Sequence, residues 1–136
     1  MISKKAKYGL QALIYLAKNQ NKGPILISDL AEVEEIPKKF LEFILLELKN
    51  HGFLASQRGK GGGYYLKMRS EKIIIGDIIR LFDGPLDIEE GDDESCCSPI
   101  GTVMMEVRDA MSKILDHTSL ADAIAKVNTN NINYHI

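Results

Sequence analysis

The chain has 136 residues, 45% hydrophobic and 26% charged with a formal net charge of −2, which suits one compact domain with an appendage. No apolar run reaches the ~18 residues that cross a bilayer, and the start Met1-Ile2-Ser3-Lys4-Lys5-Ala6-Lys7 leads into an amphipathic segment instead of a signal-peptide core, so a cytoplasmic protein is expected. Cys96 and Cys97 are the only cysteines and are adjacent, which excludes a secreted disulfide framework.

In chain order, Ala6, Leu10, Leu13, Ile14, Leu16 and Ala17 recur at helical spacing and predict a first helix from Lys4 to about Lys18. Asn19 to Pro24 forms a loop, and Ile25-Leu26-Ile27 is a short β-prone run. Ser28 reads as the N-cap of a short second helix, Asp29 to about Glu34, with Asp29 favourable at the positive end of its dipole. Ile36-Pro37 opens a third helix with proline at its first position. Phe40, Leu41, Ile44, Leu45 and Leu48 form its core face, and Gly52 stops it. Phe53–Gln57 and Tyr64–Met68 read as two strands around Arg58-Gly59-Lys60-Gly61-Gly62-Gly63. Two short helices, a tight connection and a glycine-tipped hairpin together describe a winged helix-turn-helix.

The second half begins with a short helix, Ile74–Phe82, expected on the wing, closed by Asp83-Gly84-Pro85. A carboxylate-rich loop follows. Ser98-Pro99 starts the longest helix, up to Asp116, on which Val103, Val107, Ala110, Met111, Ile114 and Leu115 line one stripe. A stripe running about 27 Å on so small a chain needs a partner, and a second copy is the simplest. Leu120–Val127 reads as a short closing helix. The expected fold is thus mainly α with a small β-hairpin wing, a winged helix-turn-helix followed by a long dimerisation helix. Its segments are a DNA-binding unit over 1–85, an acidic loop over 86–98, the dimerisation and closing helices over 99–127, and a frayed tail over 128–136.

Charge divides along the same line. Residues 1–70 carry 12 Lys and Arg against 6 Asp and Glu, whereas residues 71–136 carry 5 against 13. A basic front on an acidic back fits a polyanion-binding module joined to a second, non-binding one. The hairpin tip is no Walker-type phosphate cradle, because Lys60 precedes the glycine run and no Lys-Ser or Lys-Thr pair follows it. Its glycines instead let backbone enter a narrow groove, where Arg58 and Lys60 reach phosphates or the minor-groove floor alongside Gly61 and Gly62. His51, His117 and His135 stand apart, with no base–nucleophile arrangement, so no enzyme is expected.

On these residues the chain resembles the bacterial IscR/NsrR/CymR-type winged-helix transcriptional regulators, the Rrf family. The matching pieces are Lys7-Tyr8-Gly9-Leu10-Gln11-Ala12-Leu13, Ile36-Pro37-Lys38-Lys39-Phe40-Leu41-Glu42 and Arg58-Gly59-Lys60-Gly61-Gly62-Gly63-Tyr64. They continue with Ile75-Gly76-Asp77-Ile78, Asp83-Gly84-Pro85-Leu86 and Thr118-Ser119-Leu120-Ala121-Asp122, in order from about residue 1 to 127. The resemblance implies a homodimer on operator DNA, with the long helix crossing between subunits. It also implies that Lys39, Glu42 and Phe43 face base edges, beside the exposed Lys38. Glu42 can accept from cytosine N4, and Lys39 can donate to guanine or to phosphate. Phe43 reads either as a thymine-methyl contact or as extra core packing. Lys4, Lys5, Lys7 and the backbone at Ser28 suit phosphate. Tyr8 either donates to a phosphate or is a half-buried structural tyrosine.

Many members of the resembled family sense through an iron–sulfur cluster held by three cysteines before the long helix plus a fourth ligand. Here that pattern is broken: Cys96 and Cys97 are the only thiols, Ile100 replaces a histidine that some relatives carry, and Lys7 stands where others recruit an acidic ligand. No cofactor is therefore expected, and the signal would be a regulatory protein partner or a small metabolite, as CymR-type relatives use a cysteine-synthesis enzyme. The alternative is a thiol- or iron–sulfur-based redox sensor using Cys96 and Cys97. Glu89, Glu90, Asp92, Asp93 and Glu94 would raise those thiol pKa values and slow them as nucleophiles.

Overall fold

The computed structural model describes residues 2–86 and 98–134. Its elements run α1 (Lys4–Lys18), α2 (Ile27–Glu34), α3 (Lys38–Asn50), β1 (Leu54–Gln57), β2 (Gly63–Leu66), α4 (Ile75–Asp83), α5 (Pro99–Asp116) and α6 (Leu120–Tyr134), with a 3-10 turn Gln20–Lys22 after α1. This is a winged helix-turn-helix followed by a long helix. Among the described residues no helix is long and apolar enough to cross a membrane.

The core sits where α1, α2 and α3 meet. Leu13, Leu16, Leu30, Ile36, Leu41, Ile44, Leu45 and Leu48 are all buried there, each such side chain contributing roughly 1.5–3 kcal/mol on burial. Phe40, expected in this face, is instead 37% exposed. Leu41, Ile44, Leu45 and Leu48 already fill the buried stripe, and position 40 falls on its flank.

The start of α2 lies two residues before the expected one, and that of α3 one residue after it. Ser28 is not an N-cap: α2 begins at Ile27, with Leu26 as its N-cap and no capping side chain. Ile25 is tied to Tyr64 by two backbone hydrogen bonds of 2.8 Å, so the chain leaves that bridge and enters the helix at once. Pro37 is the N-cap of α3, at φ −55° and ψ 128°, and its carbonyl accepts from the Leu41 N–H at 2.9 Å. The extended Pro37 lets Ile36 reach the core before the helix begins. Between the two helices Glu35 takes the left-handed conformation at φ 56°, and the Ile36 N–H returns to the Ala31 carbonyl at 3.0 Å, a tight helix stop.

The hairpin pairs Leu54 with Leu66 through Gln57 with Gly63, and Ile25 adds a one-residue third strand against Tyr64. Gly63 makes that possible. It sits at φ +148°, and a Cβ there would lie 2.3 Å from the Ile25 carbonyl oxygen.

Against expectation, α4 does not pack chiefly on the wing; it lies against α1 and α5. Ile78 and Ile79 are its buried apolar residues, and Phe82 meets α1 at Gly9. Gly76 admits the end of α5, since a Cβ there would be 2.5 Å from Asp116 Oδ1. Next to it Arg80 donates bidentately to Asp116, at 2.5 and 3.0 Å. Backbone bonds from Ile75 N–H to Thr118 O (3.0 Å) and Leu120 N–H to Ile73 O (2.7 Å) stitch the end of α5 to the start of α4. Leu120 then enters the core of the front unit, so α6 packs with that unit, against α1. Reciprocal bonds of 3.0 Å between Ser119 and Asp122 form a capping box at the start of α6. The tail expected to fray is helical through Tyr134. No proline or glycine interrupts it, and a nucleated helix propagates at small cost per residue.

Candidate nucleic-acid interface

The face of α3 opposite the core carries Lys38, Lys39, Glu42 and Phe43, all exposed. Phe43 keeps 48% of its surface, so of its two sequence readings core packing is excluded. The first turns of α1 lie beside this face. The Lys5 ammonium stands over the Phe43 ring, 4.1 Å from its centroid. One turn further on, Tyr8 meets Phe40 edge to face, with centroids 5.6 Å apart and planes at 84°. Tyr8 is half-buried, Lys5 is half-buried, and Lys4 and Lys7 are exposed.

Where α1 begins is fixed from outside the helix. The Ser3 hydroxyl accepts from the Ala6 N–H at 3.1 Å and caps the helix. The Ser3 N–H donates to Asp83 at 3.0 Å, and its hydroxyl also contacts that carboxylate. The end of α4 therefore holds the start of α1 against α3. Nothing in the local sequence signals this contact across 80 positions, nor the placement of Lys5 on Phe43. Ser28 is exposed in the first turn of α2, whose amides lack intrahelical acceptors.

At the wing tip Arg58, Lys60 and Gly61 are exposed, whereas Gly62 is buried inside the turn. Its N–H donates to the Gly59 carbonyl at 3.0 Å, and a Cβ on it would lie 2.2 Å from the Gln57 carbonyl oxygen. Gly62 thus shapes the tip and does not face outward as a contact. The outward elements are two cations on a backbone free of side chains.

Along α5 the expected stripe is open. Val103, Val107 and Ile114 expose 48%, 42% and 62% of their surface. Ala110 is exposed and Met111 half-buried. Ile100, Met104 and Met105 are exposed as well; the stripe read from the sequence omits them, although 100, 104 and 107 share its helical spacing. Cys96, Cys97 and the acidic run 87–94 lie outside the described residues. Among the described residues no three His, Cys, Asp or Glu side chains come together as metal ligands.

A family profile described as "Rrf2: Iron-dependent Transcriptional regulator" matches residues 2–126. The chain is 36% identical over 122 residues to the HTH-type transcriptional regulator CymR of Bacillus subtilis, spanning 89% of this chain and 87% of that protein. The solved structure of CymR, the global cysteine regulator of B. subtilis, superposes with a TM-score of 0.84 over 93% of this chain and 97% of that one, at 35% identity. The T. potens IscR structure gives 0.77 at 31% identity, over 93% and 88%. The oxidized form of Staphylococcus aureus CymR gives 0.75 at 36% identity, over 90% and 94%. Matched over almost its whole length, this chain belongs to the Rrf2 family of helix-turn-helix, DNA-binding transcriptional regulators.

Proposed function

We propose that the chain acts in the cytoplasm as a homodimer on a two-fold operator, without an iron–sulfur cluster, and answers to a protein partner or small metabolite. The observation that carries the DNA-reading part is α3: four leucine and isoleucine side chains lock one face into the core while Lys38, Lys39, Glu42 and Phe43 face outward. In this reading Glu42 accepts from cytosine N4, Lys39 donates to guanine O6/N7 or phosphate, and Phe43 meets a thymine methyl. Arg58 and Lys60 enter the adjacent minor groove, where narrow A·T-rich stretches concentrate negative potential. Lys4, Lys7, Lys38, the Tyr8 hydroxyl and the amides around Ser28 hold the phosphates that set register.

The open stripe on α5 supports the dimer, since Val103, Val107 and Ile114 gain from burial against a copy of the same helix. The iron in the family description does not fit the donors present. The whole chain offers two adjacent thiols, and the candidate supplementary positions hold an exposed ammonium at Lys7 and an exposed apolar side chain at Ile100. A protonated amine has no lone pair to give, and clusters are held mostly by four thiolates. A second reading, thiol sensing at Cys96 and Cys97, draws on the oxidized form known for the S. aureus relative.

Selection from a randomised duplex pool tests the main reading. An enriched motif of two inverted half-sites about one helical turn apart is expected. No enriched motif, or a single unrepeated one, would sink it. Binding measured before and after treatment with a thiol oxidant decides the second reading.

A further inference from the structure

By sequence Lys5 is one more phosphate anchor, and its position argues otherwise. Its ammonium lies 4.1 Å from the Phe43 centroid, over the ring face. There the ring quadrupole presents negative charge to a cation. The other amino-terminal cations, Lys4 and Lys7, are exposed, whereas Lys5 is half-buried. Phe43 itself projects from α3 with about half its surface open, outside the buried core. An unsupported phenylalanine on a helix surface samples more than one rotamer, and only one presents its edge at a given depth in a groove. A side chain that must meet a 5-methyl group needs that freedom removed beforehand.

From this geometry we infer that Lys5 is a positioning residue: it clamps the Phe43 ring and so sets preference for a thymine methyl, acting through Phe43 and not on phosphate. The clamp is itself held. Ser3 caps α1 and is bonded to Asp83, and Tyr8 packs edge-on against Phe40 one turn along, so α1 and α3 meet in a fixed register at two points. The inference rests on the proposed role of Phe43 as a base reader, and the test separates the two.

The probe is the randomised duplex pool, followed by the selected duplex and its single-base variants, titrated at several salt concentrations. Lys5→Met removes the charge and keeps the chain length. It should lower preference for T at one half-site position about two- to five-fold, the range of an exposed cation–π contact, with the salt dependence unchanged. Lys5→Arg, which also stacks on a ring face, should restore the preference. Phe43→Leu should lower the same preference, and adding Lys5→Met to it should change nothing further. Circular dichroism confirms folding, since neither residue belongs to the core. Suppose instead that Lys5→Met weakens binding equally on every sequence and flattens the salt slope by about one phosphate-equivalent, whether position 43 keeps its phenylalanine or carries the Phe43→Leu change. Lys5 is then a phosphate anchor and the inference falls. If Phe43→Leu leaves base preference untouched, the reading of Phe43 fails with it.

Discussion

Two helices of this protein, α3 and α5, make opposite use of their apolar residues. The 13-residue α3 buries Leu41, Ile44, Leu45 and Leu48, while the 18-residue α5 buries Gly101 alone. Both are amphipathic in sequence. The difference is that α3 has α1, α2 and β1 laid over its stripe, whereas α5 touches the rest of the chain mainly through α4 and leaves Val103, Val107 and Ile114 in water. The apolar stripe of α3 is therefore covered within the chain and that of α5 is not. This teaches where a second copy would add stability, and why the exposed face of α3 can be studied one residue at a time while the back helix must be studied as a surface.

The sharpest way to break that comparison is to charge the open stripe. Val107→Glu with Met111→Glu should give a monomer by sedimentation at micromolar concentration, with the far-ultraviolet signal of the front unit intact. Operator affinity should fall on the order of 10²–10⁴-fold, because joined half-site contacts act at a high effective concentration. A wild type that sediments as a monomer would remove the reason for the exposed stripe.

Single substitutions on the front unit should be smaller and separable. Glu42→Ala should relax base preference at one major-groove position by roughly 1–3 kcal/mol while leaving the salt slope nearly unchanged. Arg58→Ala should weaken binding most at A·T-rich sites and flatten the salt dependence by about one phosphate-equivalent. Equal losses on all sequences from both variants would mean that wing and reading helix do not occupy different grooves.

How much of this is legible in the sequence follows from the range of the interactions. The periodicities of α1, α3 and α5, the glycine tip and the Ser98-Pro99 start of the longest helix are local, and they appear where the sequence puts them; at that start the Ser98 hydroxyl accepts from the Gly101 N–H at 2.9 Å, a cap the sequence reading did not name. What cannot be read depends on distant partners. Phe40 reads as core because it neighbours Leu41, but Tyr8 and the crowding of the stripe decide its side. Ser28 loses the cap position because Ile25 is held by Tyr64, about 40 positions away. The contacts of Lys5 with Phe43 and of Ser3 with Asp83 require the whole packing of α1, α3 and α4. The assignment of Gly62 to the groove fails because a buried and an exposed glycine look alike in a run of three.

Acid offers a milder probe of how the back helix is attached. Hydrogen bonding from Arg80 holds the Asp116 carboxyl below its usual range, and the backbone and hydroxyl of Ser119 do the same for Asp122. A carboxyl whose pKa is depressed on folding contributes stability that is present above the unfolded value of about 3.9 and lost as pH falls through the folded value. Both groups sit at the α5–α6 junction. Stability should therefore be level from about pH 5 to 8 as far as these groups are concerned, and should decline below about pH 4. The Asp116→Asn/Asp122→Asn variant should be slightly less stable at neutral pH and lose less on acidification, read from urea midpoints across that range. An unchanged acid slope would mean that the junction bears no titrating load.

The smallest expected effect is at the cysteines, and it bears on whether the back half senses anything by itself. Two neighbouring thiols close only a strained ring, so an oxidation product should be a disulfide between chains or with a small thiol. From the sequence alone, Glu89, Glu90, Asp92, Asp93 and Glu94 are expected to disfavour the thiolates by like charge and so to slow them toward oxidants. The Cys96→Ser/Cys97→Ser variant should accordingly bind the selected duplex within about two-fold of wild type, a difference of ~0.4 kcal/mol. Protein purified without oxygen should be colourless. Stoichiometric iron and acid-labile sulfide, with operator affinity that changes when they are lost, would reverse this outcome. It would mean that carboxylates among residues 87–94 or a second subunit complete a donor set that two adjacent thiols cannot make, and the open back helix would then be part of the sensor as well as of the proposed dimer.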